Sequence, residues 1–190
     1  HDLRVDRTTG GAGAVTEMTW DRIRELDAGG RLGPAWEGVR IPRFEEVLDL
    51  AAGRVGLNIH IKDPGPDGSL VRLVADLLRR RGMDRLGYLS GDERVLDAAC
   101  RLAPDLERCC LAHQKTPPRQ IAVAVQYGCR RLQFYRCVTA EDAALAAAHG
   151  LVRNLFWSDE VEDARGYAAR GIDVILTNRA HRLAGRLAPG

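Results

Sequence analysis

Three polar residues at alternate positions of one short segment give the clearest sign of chemistry in this sequence. Residues 57–64 read LNIHIKDP, and the period of two along a strand places the leucine and isoleucines on one face and Asn58, His60 and Lys62 on the other. A strand in a parallel sheet is usually buried on both faces and apolar throughout. An inward ammonium beside an imidazole is costly unless an anion or a metal ion completes the set. The segment therefore predicts a site for an anionic group.

The same alternation has a plainer interpretation. A half-exposed strand at the edge of a sheet also alternates, with its polar face in water. A histidine without functional neighbours is usually solvated rather than catalytic. Both interpretations stay open on the residues of this segment alone.

The rest of the chain indicates how such a strand would be held. From residue 56 onward, short apolar runs alternate with longer amphipathic stretches, which is typical of a parallel α/β domain. Helix start signals lie at Ser69 and at Thr139, where Asp142 completes a capping box. Six runs are predicted strands: Gly56–Lys62, Leu86–Ser90, Leu106–Leu111, Arg131–Tyr135, Leu151–Trp157 and Ile172–Thr177.

Repeated β-α units favour a (β/α) barrel or a doubly wound sheet. In a barrel, His60 and Lys62 would lie near the C-terminal mouth, where the active sites of barrel enzymes are found. Residues 3–40 are rich in glycine and read as a loop excursion on one barrel face, with one short helix from Trp20 to Leu26. A further helix is predicted from Pro42. We predict a single domain over residues 1–190.

Composition excludes some classes of protein. The 190 residues are 45% hydrophobic, and the 28 basic and 26 acidic residues give a net charge of +2 with no cationic run, so neither nucleic acid nor a membrane span is predicted. The five cysteines form no C-x-x-C pair and no even disulfide ladder, which indicates reduced, mostly buried thiols. We predict a cytoplasmic protein.

Several segments in succession resemble one known family. His1-Asp2 and the run DRTTGGAG at residues 6–13 are similar to a His-Asp and DRTT-N-G-x-G run. Residues 15–29 (VTEMTWDRIRELDAG), 41–48 (IPRFEEVL), 57–62 (LNIHIK), 157–158 (WS) and 174–179 (VILTNR) are similar, in the same order, to its LDAG turn, IPTLEEVL, LNIEIK, VWT and GIITDRP elements. The family is that of the glycerophosphodiester phosphodiesterases.

The resemblance implies a TIM (β/α)8 barrel of the phospholipase-C-like phosphodiesterase type. The family's opening strands, with His-Arg-Gly and Glu-x-Asp, have no counterpart here, so we expect an incomplete barrel with about six of eight strands. Their absence would leave two open sheet edges. We expect these to be completed by missing residues or by another chain in an oligomer, or else this piece to be only marginally stable, and we expect no turnover by this piece alone.

The resemblance also assigns roles to particular residues. His1 matches the second catalytic histidine, a general acid or base at the scissile P–O bond. Lys62 matches a lysine that offsets phosphate charge. Trp157 matches an aromatic residue on the glycerol side of the pocket, and Gln133 is predicted to face inward and contact substrate.

His60 departs from the family pattern, because it stands where the family has its third metal-binding glutamate. The resemblance implies Mg²⁺ or Ca²⁺ as the cofactor, whereas a neutral imidazole suits Zn²⁺ or Mn²⁺ better. Around the site we expect a structural ion pair at Arg179 and an orienting role for Asp2. For His113, His149 and His181 we expect solvated imidazoles.

The resulting hypothesis is hydrolysis of a small-molecule glycerophosphodiester to glycerol 3-phosphate and an alcohol, by metal-assisted acid/base catalysis. Two alternatives stay open. The substitution at His60 favours a barrel that has lost catalysis and serves as a binding or scaffold module. A phospholipase-type relative acting on lysophospholipid or sphingomyelin would need a wider apolar mouth.

Overall fold

The computed structural model describes residues 2–187, and the chain divides into two compact units, His1–Ala51 and Ala52–Gly190. The division falls after the helix predicted from Pro42, so this helix groups with the glycine-rich part of the chain. Each unit is described by itself below. The prediction of one domain over residues 1–190 stays a prediction.

The first unit is built from turns and two short α-helices, as its glycine content predicts. They are α1 (Trp20–Glu25) and α2 (Phe44–Ala51), with 3-10 helices at Val15–Glu17, Gly30–Leu32 and Pro34–Trp36. Helix α1 begins after Thr19, whose side chain accepts a hydrogen bond from the backbone N–H of Arg22. Leu48 and Ala51 are the buried residues of α2, in agreement with the apolar face predicted for it.

Asp27 organises the turns of this unit. Its carboxylate accepts hydrogen bonds from the backbone N–H groups of Gly29, Gly30 and Gly38, and these bonds lower the pKa of Asp27. A Cβ atom at Gly29 would lie 1.8 Å from the carbonyl oxygen of Trp36, so only glycine fits this close approach.

The second unit contains one parallel sheet of six strands in the order β1-β2-β3-β4-β5-β6. Every predicted strand is present, although most are shorter than predicted. Each strand pairs with its sequence neighbours, which is the topology of successive β-α units in a TIM barrel. The strands are β1 (Leu57–His60), β2 (Gly87–Gly91), β3 (Glu107–Cys110), β4 (Arg131–Tyr135), β5 (Val152–Phe156) and β6 (Val174–Ile175).

Helices connect the strands as the apolar periodicity predicts. They are α3 (Ser69–Arg80), α4 (Glu93–Leu102), α5 (Pro117–Gln126), α6 (Ala140–Ala148), α7 (Val161–Ala169) and α8 (Ala180–Leu183). Within residues 2–187, no helix combines the length and the apolar character that crossing a membrane requires.

Two of the predicted helix starts can be compared with the structure. The capping box between Thr139 and Asp142 is confirmed at the start of α6. The cap at Ser69 is wrong, because Ser69 is already helical and the N-cap is Gly68, in a left-handed conformation with φ 78°. A 3-10 turn at Pro66–Gly68 feeds directly into α3, and this shifts the boundary by one residue.

The core lies between the sheet and its helices. Leu132 and Phe134 of β4 and Leu155 of β5 are all 0% exposed and pack with apolar residues of α5, α6 and α7. The opposite face of the sheet, here called the polar face, carries the side chains that alternate with these. By register its members are Asn58, His60, Tyr88, Ser90, Glu107, Cys109, Arg131, Gln133, Tyr135, Val152, Asn154, Phe156 and Val174.

Both outer strands have one free edge in the part of the chain that the structure describes. There β1 pairs only with β2, and β6 pairs only with β5. This agrees with the expectation of an incomplete barrel with six of its strands present. Completion of the edges by another segment or chain stays a prediction.

Truncation of Leu132 to alanine tests where the core lies. Because Leu132 is 0% exposed, Leu132→Ala should reduce the free energy of unfolding by about 2–5 kcal/mol, measured by urea denaturation. The matched control is Leu145→Ala on α6, where the leucine is 44% exposed and the expected change is within about 0.5 kcal/mol. Equal effects of the two variants would contradict this position of the core.

Candidate functional site at the carboxyl ends of the strands

Strand β1 shows the alternation that its sequence predicts. Asn58 and His60 are exposed, Leu57 and Ile59 are half-buried, and Ile61 just beyond the strand is 4% exposed. The Ser90 hydroxyl on β2 donates a hydrogen bond of 2.7 Å to the Asn58 side chain, so the polar face continues from β1 to β2. Both interpretations of this segment therefore hold in part. Strand β1 is a half-exposed edge strand in the described chain, and its polar side chains also continue the polar face of the neighbouring strands.

His60 lies in an environment that favours the neutral imidazole. Although the residue is exposed overall, partial desolvation of its ring is the main cause that lowers its pKa, and the ammonium of Lys62 lowers it further, while the carboxylate of Asp92 opposes the shift. A neutral imidazole near pH 7 is able to accept a proton or bind a transition metal ion. Because the charge of Lys62 contributes to this pKa shift, His60 and Lys62 share one electrostatic environment.

Lys62 lies two residues past the end of β1, at the carboxyl ends of the strands. This region, called the rim below, consists of residues 61–64, 92–93, 111–116, 136–139, 157–160 and 176–179. The Lys62 backbone carbonyl accepts a hydrogen bond of 3.3 Å from Arg94 of α4, so the segment after β1 is attached to the next β-α unit. Its side chain is half-buried.

Gln133 lies on the polar face, as predicted, but deep within it. The residue is 5% exposed and stands opposite Asn154 in the register of β4 and β5. Its backbone carbonyl accepts hydrogen bonds from the side-chain amides of Gln114 and Gln120. Contact between Gln133 and substrate stays a prediction.

Sequence reasoning missed the network in the centre of the polar face. The Asn154 amide donates to the Tyr88 hydroxyl at 3.1 Å, and the Arg131 guanidinium lies 4.9 Å from the centre of the Tyr88 ring while it also pairs with Glu107. Asn154 is 0% exposed, and its side-chain oxygen has no hydrogen-bond partner among residues 2–187. The sequence signal for this network is the polar residue Asn154 within the predicted strand at 151–157, LVRNLFW.

Trp157 follows β5 directly and is held by Asp159. The Trp157 indole N–H donates to the Asp159 carboxylate at 3.2 Å, and Thr177 and Asn178 of the segment after β6 donate to the same carboxylate at 2.7–3.0 Å. These bonds, led by those from Asn178, lower the pKa of Asp159 to about 2. Trp157 also borders a cavity of about 650 Å³ between the ends of β5 and β6.

His113 differs from the expectation of a solvated imidazole. Its Nε2 lies 2.9 Å from a carboxylate oxygen of Glu93, and its backbone has φ 54°, a conformation uncommon outside glycine. No local sequence pattern predicts this contact, because the two residues are twenty positions apart and meet only when β2 and β3 pair. For His149 and His181, solvated imidazoles stay a prediction.

One supporting expectation agrees with the structure: Arg179 forms an ion pair of 2.8 Å with Glu160, as predicted. Asp2 forms an ion pair with Arg7 in the first unit, and its orienting role stays a prediction. His1, the predicted acid or base, lies outside the described residues, so its role stays a prediction.

Metal ligation has little support from these residues alone. Among residues 2–187, no group of three or more His, Cys, Asp or Glu side chains comes together in a way that could hold a metal ion. His60 contributes one donor and has a carboxylate, that of Asp92, in its electrostatic environment. The described residues therefore do not form the expected divalent-ion site by themselves.

Comparison with known proteins identifies the class to which this fold and rim belong. The model of the glycerophosphoryl diester phosphodiesterase family matches residues 1–182, and the chain belongs to that family. The Bacillus subtilis protein YhdW is 48% identical over 78 residues, which are 41% of this chain and 32% of that protein. This chain thus spans about a third of that curated relative.

Solved structures give the same fold. A glycerophosphodiester phosphodiesterase from Agrobacterium tumefaciens superposes with a TM-score of 0.79 and 27% identity, over 97% of this chain and 78% of that one. A phosphodiesterase from Oleispira antarctica, solved in complex with the product sn-glycerol-3-phosphate, superposes with a TM-score of 0.86, over 98% of this chain and 77% of that one. The latter is 19% identical and supports the TIM-barrel fold alone.

The bonds around Asp159 predict how stability depends on pH. Because its pKa is lowered from 3.8 to about 2, the ionised carboxylate stabilises the fold fully above pH 3.8, and this contribution is lost as the pH falls through about 2. Asp159→Asn should therefore lower the melting temperature near neutral pH, and its difference from wild type should shrink below about pH 4. Thermal unfolding followed by circular dichroism measures both.

The matched control for this prediction is Glu162→Gln, which removes a carboxylate that is 84% exposed. It should change the melting temperature little at any pH. A difference between Asp159→Asn and wild type that is independent of pH would contradict a role for the ionised carboxylate.

Proposed function

We propose that this chain belongs to an enzyme that hydrolyses glycerophosphodiesters to glycerol 3-phosphate and an alcohol. The observation that supports the proposal most is the pair His60 and Lys62 at the end of β1, in a chain of the glycerophosphoryl diester phosphodiesterase family. The Oleispira antarctica phosphodiesterase holds sn-glycerol-3-phosphate as its product. A small-molecule phosphodiester is accordingly the proposed substrate.

Lys62 is the proposed phosphate-binding residue. An ammonium group at the rim offsets the negative charge of a phosphodiester and the further charge that develops as the P–O bond breaks. Its point charge needs no fixed approach direction, unlike the planar fork of arginine. The half-buried side chain places this charge where water screens it less than at an open surface.

His1 and Trp157 complete the proposed contacts of the chain with substrate. An imidazole near its ordinary pKa transfers protons well at neutral pH, so His1 is the proposed acid or base at the leaving oxygen. Trp157, fixed by Asp159, offers an apolar surface for the carbon skeleton of glycerol.

Members of this family generally depend on a divalent metal ion. We propose the same dependence for the full-length protein, with a preference changed by His60. An imidazole in place of a carboxylate removes one negative charge and one hard oxygen donor, which favours Mn²⁺ or Zn²⁺ over Mg²⁺ or Ca²⁺.

A second candidate function has one specific observation in its favour. The described residues contain no group of three side chains suited to a metal ion, and His60 replaces the carboxylate that the family resemblance predicts. A barrel of this kind would bind a phosphodiester without cleaving it and would act as a binding or scaffold module.

Exchange of His60 for glutamate distinguishes these functions. Full-length protein and its His60→Glu variant would be assayed with glycerophosphocholine and a panel of Mg²⁺, Ca²⁺, Mn²⁺ and Zn²⁺, with release of glycerol 3-phosphate as the readout. We expect turnover by the wild type with Mn²⁺ or Zn²⁺. In the variant we expect a shift toward Mg²⁺ or Ca²⁺ of at least about tenfold in kcat/KM, because a hard oxygen donor is restored.

The outcomes separate clearly. His60→Gln is the matched control, because it removes the imidazole without adding a charge and should not produce the shift. Folded wild-type protein that turns over no substrate with any of the four ions would refute the hydrolase and favour the scaffold. Unchanged ion preference in His60→Glu would refute the role given to His60.

A further inference from the structure

The two lysines of this chain occupy similar positions. Lys62 and Lys115 are the only lysines among 28 basic residues, and they follow β1 and β3 at the same rim. Within residues 2–187 neither forms an ion pair, whereas many of the arginines pair with carboxylates. The rim therefore carries two ammonium groups that no carboxylate of the described chain neutralises.

Lys115 is exposed, and its ammonium lies against an aromatic ring. Its ammonium lies 5.6 Å from the centre of the Tyr135 ring, at the end of the polar face. The preceding Gln114 donates a hydrogen bond of 2.8 Å to the Gln133 carbonyl, and the Thr116 N–H donates one of 2.7 Å to the His113 carbonyl. The loop after β3, which carries Lys115, is thus attached to β4 through Gln114.

Cations of the chain also occupy the aromatic surfaces of this rim. Recognition of a quaternary ammonium group uses free aromatic faces. Here the face of Tyr135 is covered by Lys115, and the Arg136 guanidinium lies 6.0 Å from the centre of the Trp157 ring. Arg136 is neutralised by Asp163 at 2.9 Å, so Lys115 is the cation whose charge is available to a ligand.

We propose that Lys115 on Tyr135 forms a second anion subsite that selects glycerophosphodiesters whose alcohol carries an acidic group, such as a carboxylate, over those that end in a quaternary ammonium. The proposal rests on the proposed function, with the phosphodiester at Lys62. The Lys115 ammonium lies over Tyr135 of β4, three strand spacings from β1, or about 14 Å along the sheet and less in a straight line across the curved sheet of a barrel. A phosphodiester bridges this gap when its phosphate binds at Lys62 and the acidic group of its alcohol extends toward Lys115. A cationic alcohol would meet the ammonium of Lys115 instead.

Two substrates that differ in one group test this subsite. Glycerophosphoserine differs from glycerophosphoethanolamine only by a carboxylate on the alcohol. The ratio of their kcat/KM values therefore isolates the effect of that anion. We expect the full-length protein to prefer glycerophosphoserine, and we expect Lys115→Gln to reduce the ratio about fivefold, a typical size for one charge interaction near a surface. Lys115→Arg should retain most of the preference, and Lys115→Glu should reverse it.

Arg170→Gln is the matched control. Arg170 lies 4.9 Å from the centre of the Tyr167 ring at the C-terminal end of α7, away from the rim, and its removal also takes a cation from a tyrosine face. The ratio should be unchanged in this variant. A ratio unaffected by Lys115→Gln, or a wild-type preference for ethanolamine or choline, would overturn the subsite.

Turnover, together with affinities measured by calorimetry, distinguishes failure of the subsite from failure of the proposed function. Absence of turnover with every compound would refute the hydrolase, whereas turnover with an unchanged ratio would refute the subsite alone. If no turnover occurs, the affinities of the same two compounds, measured for wild type and Lys115→Gln, still report the subsite. Their ratio should again fall about fivefold, and equal affinities would overturn it.

Discussion

The alternation of side chains across one parallel sheet is the constraint on which the other features depend. Apolar residues of β4 and β5 face the helices and form the core, so the residues between them have to occupy the opposite face. That face carries polar groups from β1 to β5, and it leads to the carboxyl ends of the strands. The alternation of side chains along each strand, which directs apolar residues into the core, therefore also sets the position and the chemistry of the site.

The polar face and the rim differ in their electrostatic character. Within the sheet, Asn154, Tyr88 and Arg131 are joined by one hydrogen bond and a cation–π contact, while the Asn154 side-chain oxygen has no hydrogen-bond partner among the described residues. At the rim, the ammonium groups of Lys62 and Lys115 form no ion pair within the described chain, although Lys115 lies against the ring of Tyr135. A phosphodiester supplies the negative partner that these two ammonium groups lack, which is why they suit an anionic substrate.

Sequence predicted the sheet well because strands and helices leave local signals. The strand Arg131–Tyr135 has the bounds that its sequence predicts, and the capping box at Thr139 was recognised from residues three positions apart. The cap at Ser69 was misplaced, because a 3-10 turn joined to the helix gives no separate signal.

The site was less predictable, since it depends on contacts between separate strands. His60 and Lys62 were found because they alternate within one segment. The contact of His113 with Glu93 and the bonds that Asp159 accepts from Thr177 and Asn178 join residues about twenty positions apart. Their partners become neighbours only when adjacent strands pair, so no local pattern shows them.

A structure of the full-length protein with bound sn-glycerol 3-phosphate would show whether Lys62 binds the phosphate group. We expect this group at the end of β1, with an oxygen within about 4 Å of the Lys62 Nζ atom, the range of an ion pair. A phosphate bound elsewhere on the protein, with Lys62 directed away from it into solvent, would refute this role of Lys62.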